Sequence, residues 1–352
     1  MSVKNLRSPL LLNIQDNSYI STNVNVWIYT GAKKNNATLD GEDPTYSLVS
    51  SVALDKQGLG DYFVYDLSTL IADYLENHFD STFPSEAVFI AIKYGTTGYN
   101  ASDEIETTTS VYVHDVCVNG YDYYGETSNE GGQEAIFMSN RTMYRLDGQS
   151  IKIPINQYKT DKLEGYSNGV LEGTVNINNS SASISENTDS VIRYIGTGSE
   201  YVIVTDTDGN TERIDVVPIS ECKYTPYKVV FVNKFGAYQE LWFFKKSKLS
   251  AKVDKESFTN ESLFNKRTHS TVDFNASMKE TLVLNSGFVN EEHNEVFRQL
   301  VLSERAWIDY EGDILPINIK KEELDYKTSV NDRLINYTIE VEFSFNKVKN
   351  LR

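Results

Sequence analysis

Leu334-Ile-Asn-Tyr-Thr-Ile-Glu-Val-Glu-Phe-Ser-Phe345 is the longest strict alternation in the chain. Ile335, Tyr337, Ile339, Val341, Phe343 and Phe345 hold one parity, and Leu334, Asn336, Thr338, Glu340, Glu342 and Ser344 hold the other. Successive strand side chains point to opposite faces, so this pattern predicts a long strand with one dry and one wet face. Just upstream, Ala306-Trp-Ile-Asp-Tyr310, the turn Glu311-Gly-Asp313 and Ile314-Leu-Pro-Ile-Asn-Ile319 read as two more strands. Before them, Val296, Phe297, Leu300 and Val301 fall on one helical stripe. A helix is expected there, capped by Asn290, with Glu291 and Glu292 at the positive end of its dipole.

The same β signal extends further back. Tyr227-Lys-Val-Val-Phe-Val232 is a strand, Asn233-Lys-Phe-Gly-Ala237 a turn, and Gln239-Glu-Leu-Trp-Phe-Phe-Lys-Lys246 a returning strand. Three consecutive aromatics in a strand must place at least one on each face. If one face meets solvent in the single chain, a neighbouring subunit would cover it. Trp242, Phe243 and Phe244 are therefore candidate interface residues. Residues 247–270 are rich in Lys, Ser and Asn and read as a long loop, followed by a strand at Lys279–Leu284.

Four strand-like runs lie near the N-terminus: Val24–Tyr29, Tyr46–Leu54, Ala87–Tyr94 and Ser110–Val118. Between them Leu67, Leu70, Ile71, Tyr74, Leu75 and His78 trace one helical stripe behind Asp66, a candidate N-cap. Residues 1–120 thus read as a β-sandwich with one helix. The stretch from Asn119 to Gln133 is a loop by composition; its tyrosines, Tyr121, Tyr123 and Tyr124, offer contact area at small entropic cost and are also candidate interface residues. Residues 121–222 form a middle β region with short strands at Ala135–Met138, Ser150–Ile155, Val191–Ile195, Tyr201–Thr205 and Arg213–Val217. Asp-Gly within Asp206–Glu212 marks a hairpin. The polar stretch 174–188 is either an exposed loop or an edge strand that pairs with a neighbour.

With 33 basic and 50 acidic side chains the net charge of the 352 residues is −17. Phosphate-backbone partners need Lys and Arg, so nucleic-acid recognition is not expected. The charge is uneven. Residues 1–222 carry 13 basic and 31 acidic groups, residues 223–267 carry 10 and 4, and residues 268–352 carry 10 and 15. A basic segment between acidic ones suits charge-guided contact between parts or subunits, or simply a solvated face. The N-terminal apolar run is too short for a secretory signal, no window approaches 18 apolar residues, and Cys117 and Cys222 are expected to be reduced and packed.

Catalytic signatures are scarce. There is no phosphate loop and no nucleophile elbow; Gly58-Leu-Gly60 and Gly196-Thr-Gly198 lack the third glycine and the helix. His78, His114, His269 and His293 are isolated, so no metal or cofactor is expected. Asp206-Thr-Asp-Gly-Asn departs from calcium-loop spacing. Two other classes stay open. A glycan-binding module would use Trp27, Trp242, Trp307 or a loop tyrosine as a stacking platform. A polysaccharide-degrading enzyme would need a close carboxylate pair that sequence cannot nominate among 50 acids.

The C-terminal series resembles structural tail and neck proteins of tailed bacteriophages, especially crAss-like phages and other phages of Bacteroidetes. The series comprises Tyr227–Val232, Asn233-Lys-Phe-Gly, the aromatic strand to Lys246, Leu284-Asn-Ser-Gly-Phe-Val-Asn-Glu-Glu292, the helix, Ser303-Glu-Arg-Ala-Trp307 and Asn331–Glu342. Ser8-Pro-Leu10, Val24–Thr30 and Asp66–Ile71 look like the sandwich that often precedes it. The resemblance covers about two thirds of the chain and leaves out 130–222. It implies a mainly β chain whose residues 223–352 form a tail-tube-like β domain with one helix. It further implies a subunit of a ring, neck or tail hub, a homo-oligomer of six- or twelve-fold symmetry that contacts other tail proteins in the virion and is made in the host cytoplasm. It carries no catalytic residues.

Overall fold

The computed structural model describes residues 3–15, 21–30, 47–55, 62–72, 79, 88–99, 102, 105–122, 134–177, 192–221, 223–259, 267, 269–320, 335–345 and 348–351. The chain is mainly β; the described residues include two helices and several sheets. The first sheet uses β1 (Val3–Asn5), β3 (Ser21–Thr30), β4 (Ser47–Asp55), β6 (Val88–Tyr99) and β7 (Ile105–Val118) in the order β1-β7-β6-β3-β4. Only the β1–β7 pair is parallel. β2 (Leu11–Gln15) and β5 (Tyr62–Asp66) form a separate ribbon. Leu6, Leu12, Val24, Val26, Leu67, Ile71 and Cys117 meet in the core between them. The arrangement is sandwich-like, with α1 (Ser68–Ala72) at its side. Asp66 caps α1: its Oδ1 accepts from the Ser68 N–H at 2.9 Å and from the Leu10 N–H at 3.0 Å. The rest of the expected stripe, Tyr74, Leu75 and His78, lies outside the described residues.

The middle region holds two sheets. One has the order β11-β10-β13-β14-β8, from β8 (Thr142–Leu146), β10 (Thr160–Ser167), β11 (Val170–Asn176), β13 (Tyr201–Asp206) and β14 (Thr211–Ile219). The other pairs β9 (Ile151–Asn156) with β12 (Ile192–Thr197). Ile153, Ile155, Leu163, Val202, Val204 and Ile214 pack between them. β13 and β14 form the hairpin expected at Asp206: its carboxylate accepts from the N–H groups of Asp208 and Asn210 and from Asn210 Nδ2 at 2.8–2.9 Å, while Gly209 turns at φ +87°. Ala135–Met138 is not a strand; it makes one isolated bridge, Ile136 to Ile155. Within 174–188, the described part is the end of an edge strand, β11, rather than a loop.

The C-terminal sheet has eight strands. β15 (Tyr227–Val232), β16 (Tyr238–Phe243), β17 (Lys248–Thr259), β18 (Thr271–Val289), β19 (Ala306–Tyr310), β20 (Asp313–Ile319) and β21 (Ile335–Phe343) run in the order β16-β15-β19-β20-β21-β18-β17. β22 (Val348–Leu351) also pairs with β18. The opening alternation holds as far as Phe343; Phe345, past the end of the strand, is exposed and departs from it. Ile335, Tyr337, Ile339, Val341 and Phe343 are buried while Thr338 and Glu340 are exposed. They are buried because α2 (His293–Leu302) lays Val296, Phe297 and Leu300 on that face, Phe297 lying 4.3 Å from the Tyr337 ring.

Two expectations need correction here. α2 starts at His293, and Asn290 does not cap it; its side chain instead bonds the His293 ring and Thr142 Oγ1. Residues 248–259 are not loop but β17, paired over its length with a 19-residue β18 that runs far beyond Lys279–Leu284. β17 is exposed at every position, so no buried face wrote a strong period into its sequence.

Candidate assembly surfaces

The turn after β15 joins all three parts of the chain. Asn233 Oδ1 accepts from the N–H groups of Phe235 and Ala237 at 3.0 and 3.1 Å, which closes the turn from within. Asn233 Nδ2 donates to Phe137 O at 2.7 Å and to Gln239 Oε1 at 3.0 Å. Gln239 Nε2 donates to Asn140 Oδ1 at 2.8 Å, and Asn140 Nδ2 donates to Thr142 O. On another side the Tyr121 N–H donates to Lys234 O at 2.8 Å. The approach is close enough to require glycine on both segments. A Cβ on Gly120 would lie 2.7 Å from Lys234 O, and one on Gly236, at φ +75°, 2.9 Å from Val118 Cβ. From α2, Gln299 Oε1 accepts from the Lys234 N–H at 3.4 Å, and its Nε2 donates to Ser139 Oγ at 2.5 Å. Each such bond is worth about 1 kcal/mol net, but leaving one of these buried groups unpaired costs about 1–3 kcal/mol.

This junction explains where the expected interface residues went. Trp242 and Phe243 are buried, Phe243 in the α2 core edge-on to Phe297 at 6.0 Å. Trp242 has the opposite parity and is buried as well, on a strand that β9 approaches. On that same strand Glu240 accepts from the Lys152 N–H at 3.0 Å, 3.5 Å from Lys228 Nζ; burial raises its pKa. Phe244 is half-buried against Tyr144, ring centroids 5.5 Å apart. Tyr121 is buried beneath the Arg7 guanidinium, 4.7 Å from its ring. Tyr123 and Tyr124 lie outside the described residues. Trp242, Phe243 and Tyr121 therefore stabilise the chain from inside and offer little surface to a partner. Trp307 is likewise buried, against Phe79 and Tyr238, and offers no stacking platform.

The exposed apolar surface lies elsewhere. In the distal half of the β17–β18 hairpin, Phe258 stands opposite Val272 and Glu256 opposite Phe274. The Phe258 and Phe274 rings contact each other at 6.0 Å, yet remain 52% and 42% exposed. Among the described residues no other strand pairs with this half. The opposite face carries Thr259, Thr271, Ser257 and Asp273, whose carboxylate meets Lys255 Nζ at 3.2 Å. Sequence reasoning missed these residues, because a strand exposed on both faces carries only a weak period, seen at Leu249, Ala251 and Val253.

The second exposed element is β11. All seven of its residues are exposed, including Val170, Leu171 and Val175. Glu172 accepts from Ser199 Oγ at 2.6 Å beside an open cleft of about 270 Å³, and that bond holds its carboxyl below the usual range. Gly165 lies beneath Ser199; a Cβ there would come 2.5 Å from Ser199 Oγ. Among the described residues no group of three His, Cys, Asp or Glu side chains could hold a metal ion, and no described helix is long and apolar enough to cross a membrane. No protein-family model matches this chain, and no curated protein matches it.

Proposed function

We propose that this chain is a structural subunit of the tail or neck of a tailed bacteriophage, where copies of it form a ring and contact neighbouring tail proteins. The observation that carries the reading is the β17–β18 hairpin, whose outer half exposes Val272, Phe258 and Phe274 on one face. A paired hairpin with a solvated aromatic face is a liability in a lone molecule and an asset in an assembly. Burying two half-exposed phenylalanines returns roughly 1–2 kcal/mol each, a sizeable share of a subunit contact. The subunit behind the hairpin is braced by the junction at Asn233–Ala237, as a load-carrying ring component requires. The phage setting comes from the C-terminal pattern of strands and helix.

Light scattering and negative-stain microscopy of the purified chain test the reading. Rings of six or twelve copies are expected; a monomer that also fails to join any tail or neck particle would refute it.

A further inference from the structure

We infer that neighbouring copies join head to tail, the β11 edge of one copy pairing antiparallel with the β17 edge of the next. The inference rests on the proposal that the chain assembles with itself. The middle and the C-terminal sheets each have one edge already spent. β8, at one end of the middle sheet, meets β16, at one end of the C-terminal sheet, through Tyr144 on Phe244 and the Asn140–Gln239 bond. That leaves β11 and β17 as the outer edges, and both are exposed along their whole length. Two different free edges on one chain define a heterologous contact, the kind that propagates and closes into rings.

The two sequences fit in one register. Setting Asn176 opposite Lys248 places Val175 opposite Leu249, Thr174 opposite Ser250, Gly173 opposite Ala251 and Glu172 opposite Lys252, with Leu171 and Val253 next in line. Apolar meets apolar twice, small meets small and acid meets base, the cross-strand pairs that stabilise a sheet; Val170 opposite Asp254 is the one apolar–charged pair. Leu171, Val175, Leu249 and Val253 are 47%, 38%, 45% and 50% exposed in the single chain, and this register covers all four. β17 pairing with a second β17 about its own centre would instead set Lys252 against Lys255, like charges directly opposed.

Disulfide trapping tests this. A Cβ at Gly173 meets open space and Ala251 is exposed, so Gly173→Cys and Ala251→Cys are tolerable, each made with Cys222→Ser; Cys117 is buried. Directly opposed Cβ atoms of an antiparallel pair come as close as about 4.5 Å, the upper end of disulfide geometry, so breathing of an exposed edge brings the two thiols into reach. Light scattering of each reduced variant establishes that it still folds and assembles. On oxidation, an equal mixture of the two should give a covalent dimer containing one of each, and the double variant a ladder on a non-reducing gel. Assembly without a mixed dimer would overturn the edge pairing and leave the ring proposal standing. A dimer of Gly173→Cys with itself would overturn it in favour of two-fold β11 pairing. Absence of both assembly and cross-link would overturn both.

Discussion

Acid should destabilise this fold through one histidine. His293 opens α2, is buried, bonds Asn290 Oδ1 through Nδ1, and lies 5.4 Å from the Tyr144 ring. Burial penalises the imidazolium and lowers its pKa from 6.5 to about 4. A depressed pKa means the unfolded chain takes up the proton first. The stabilising contribution is therefore fully present above pH 6.5 and is lost as pH falls toward 4. At about 1.4 kcal/mol per pH unit, the loss comes to about 3 kcal/mol. Carboxylates titrate over part of the same range, so the quantity to compare is a difference. Urea unfolding of the wild type and of His293→Gln should be followed at pH 7 and pH 4.5 by tryptophan fluorescence. The variant is less stable at pH 7, because the Asn290 bond and the Tyr144 contact change. Between the two pH values the wild type should lose about 2–3 kcal/mol more than the variant. Parallel losses in the two proteins would refute the claim that a neutral, buried His293 holds the start of α2.

Gln239→Leu leaves Asn140 Oδ1 buried without its donor and should cost about 1–3 kcal/mol in chemical denaturation. Gly236→Ala forces a side chain into a left-handed position against Val118 and the Asn119 backbone; a loss of roughly 2–4 kcal/mol is expected, with faster hydrogen exchange at residues 118–121. Phe258→Ser combined with Phe274→Ser removes only exposed rings, so stability should change by less than about 1 kcal/mol while sedimentation shows assembly weakened by about tenfold or more.

What the sequence disclosed follows burial. β21 was legible because α2 dries one of its faces, and that asymmetry forces the alternation from Ile335 to Phe343. The Asp206 hairpin and the Asn233 turn were legible because Asp, Asn and Gly carry the turn chemistry in their own side chains and backbones. β17 was not, since a strand wet on both sides needs no apolar period. The aromatic triplet was half legible. The rule that neighbours face opposite ways correctly separates Trp242 from Phe243. That both residues are buried within the chain depends on elements such as β9 and α2, which lie far away in sequence. The same holds for the junction: nothing local to Asn233 announces that Phe137, Tyr121 and Gln299 converge on its turn.

The proposed role of the exposed strands is contact between copies of this chain. Class averages from electron microscopy of the purified protein test it most directly. Closed rings of six or twelve copies are expected, in which the β17–β18 hairpin of each copy lies against its neighbour. Particles of a single copy at every concentration, with the hairpin free, would contradict it.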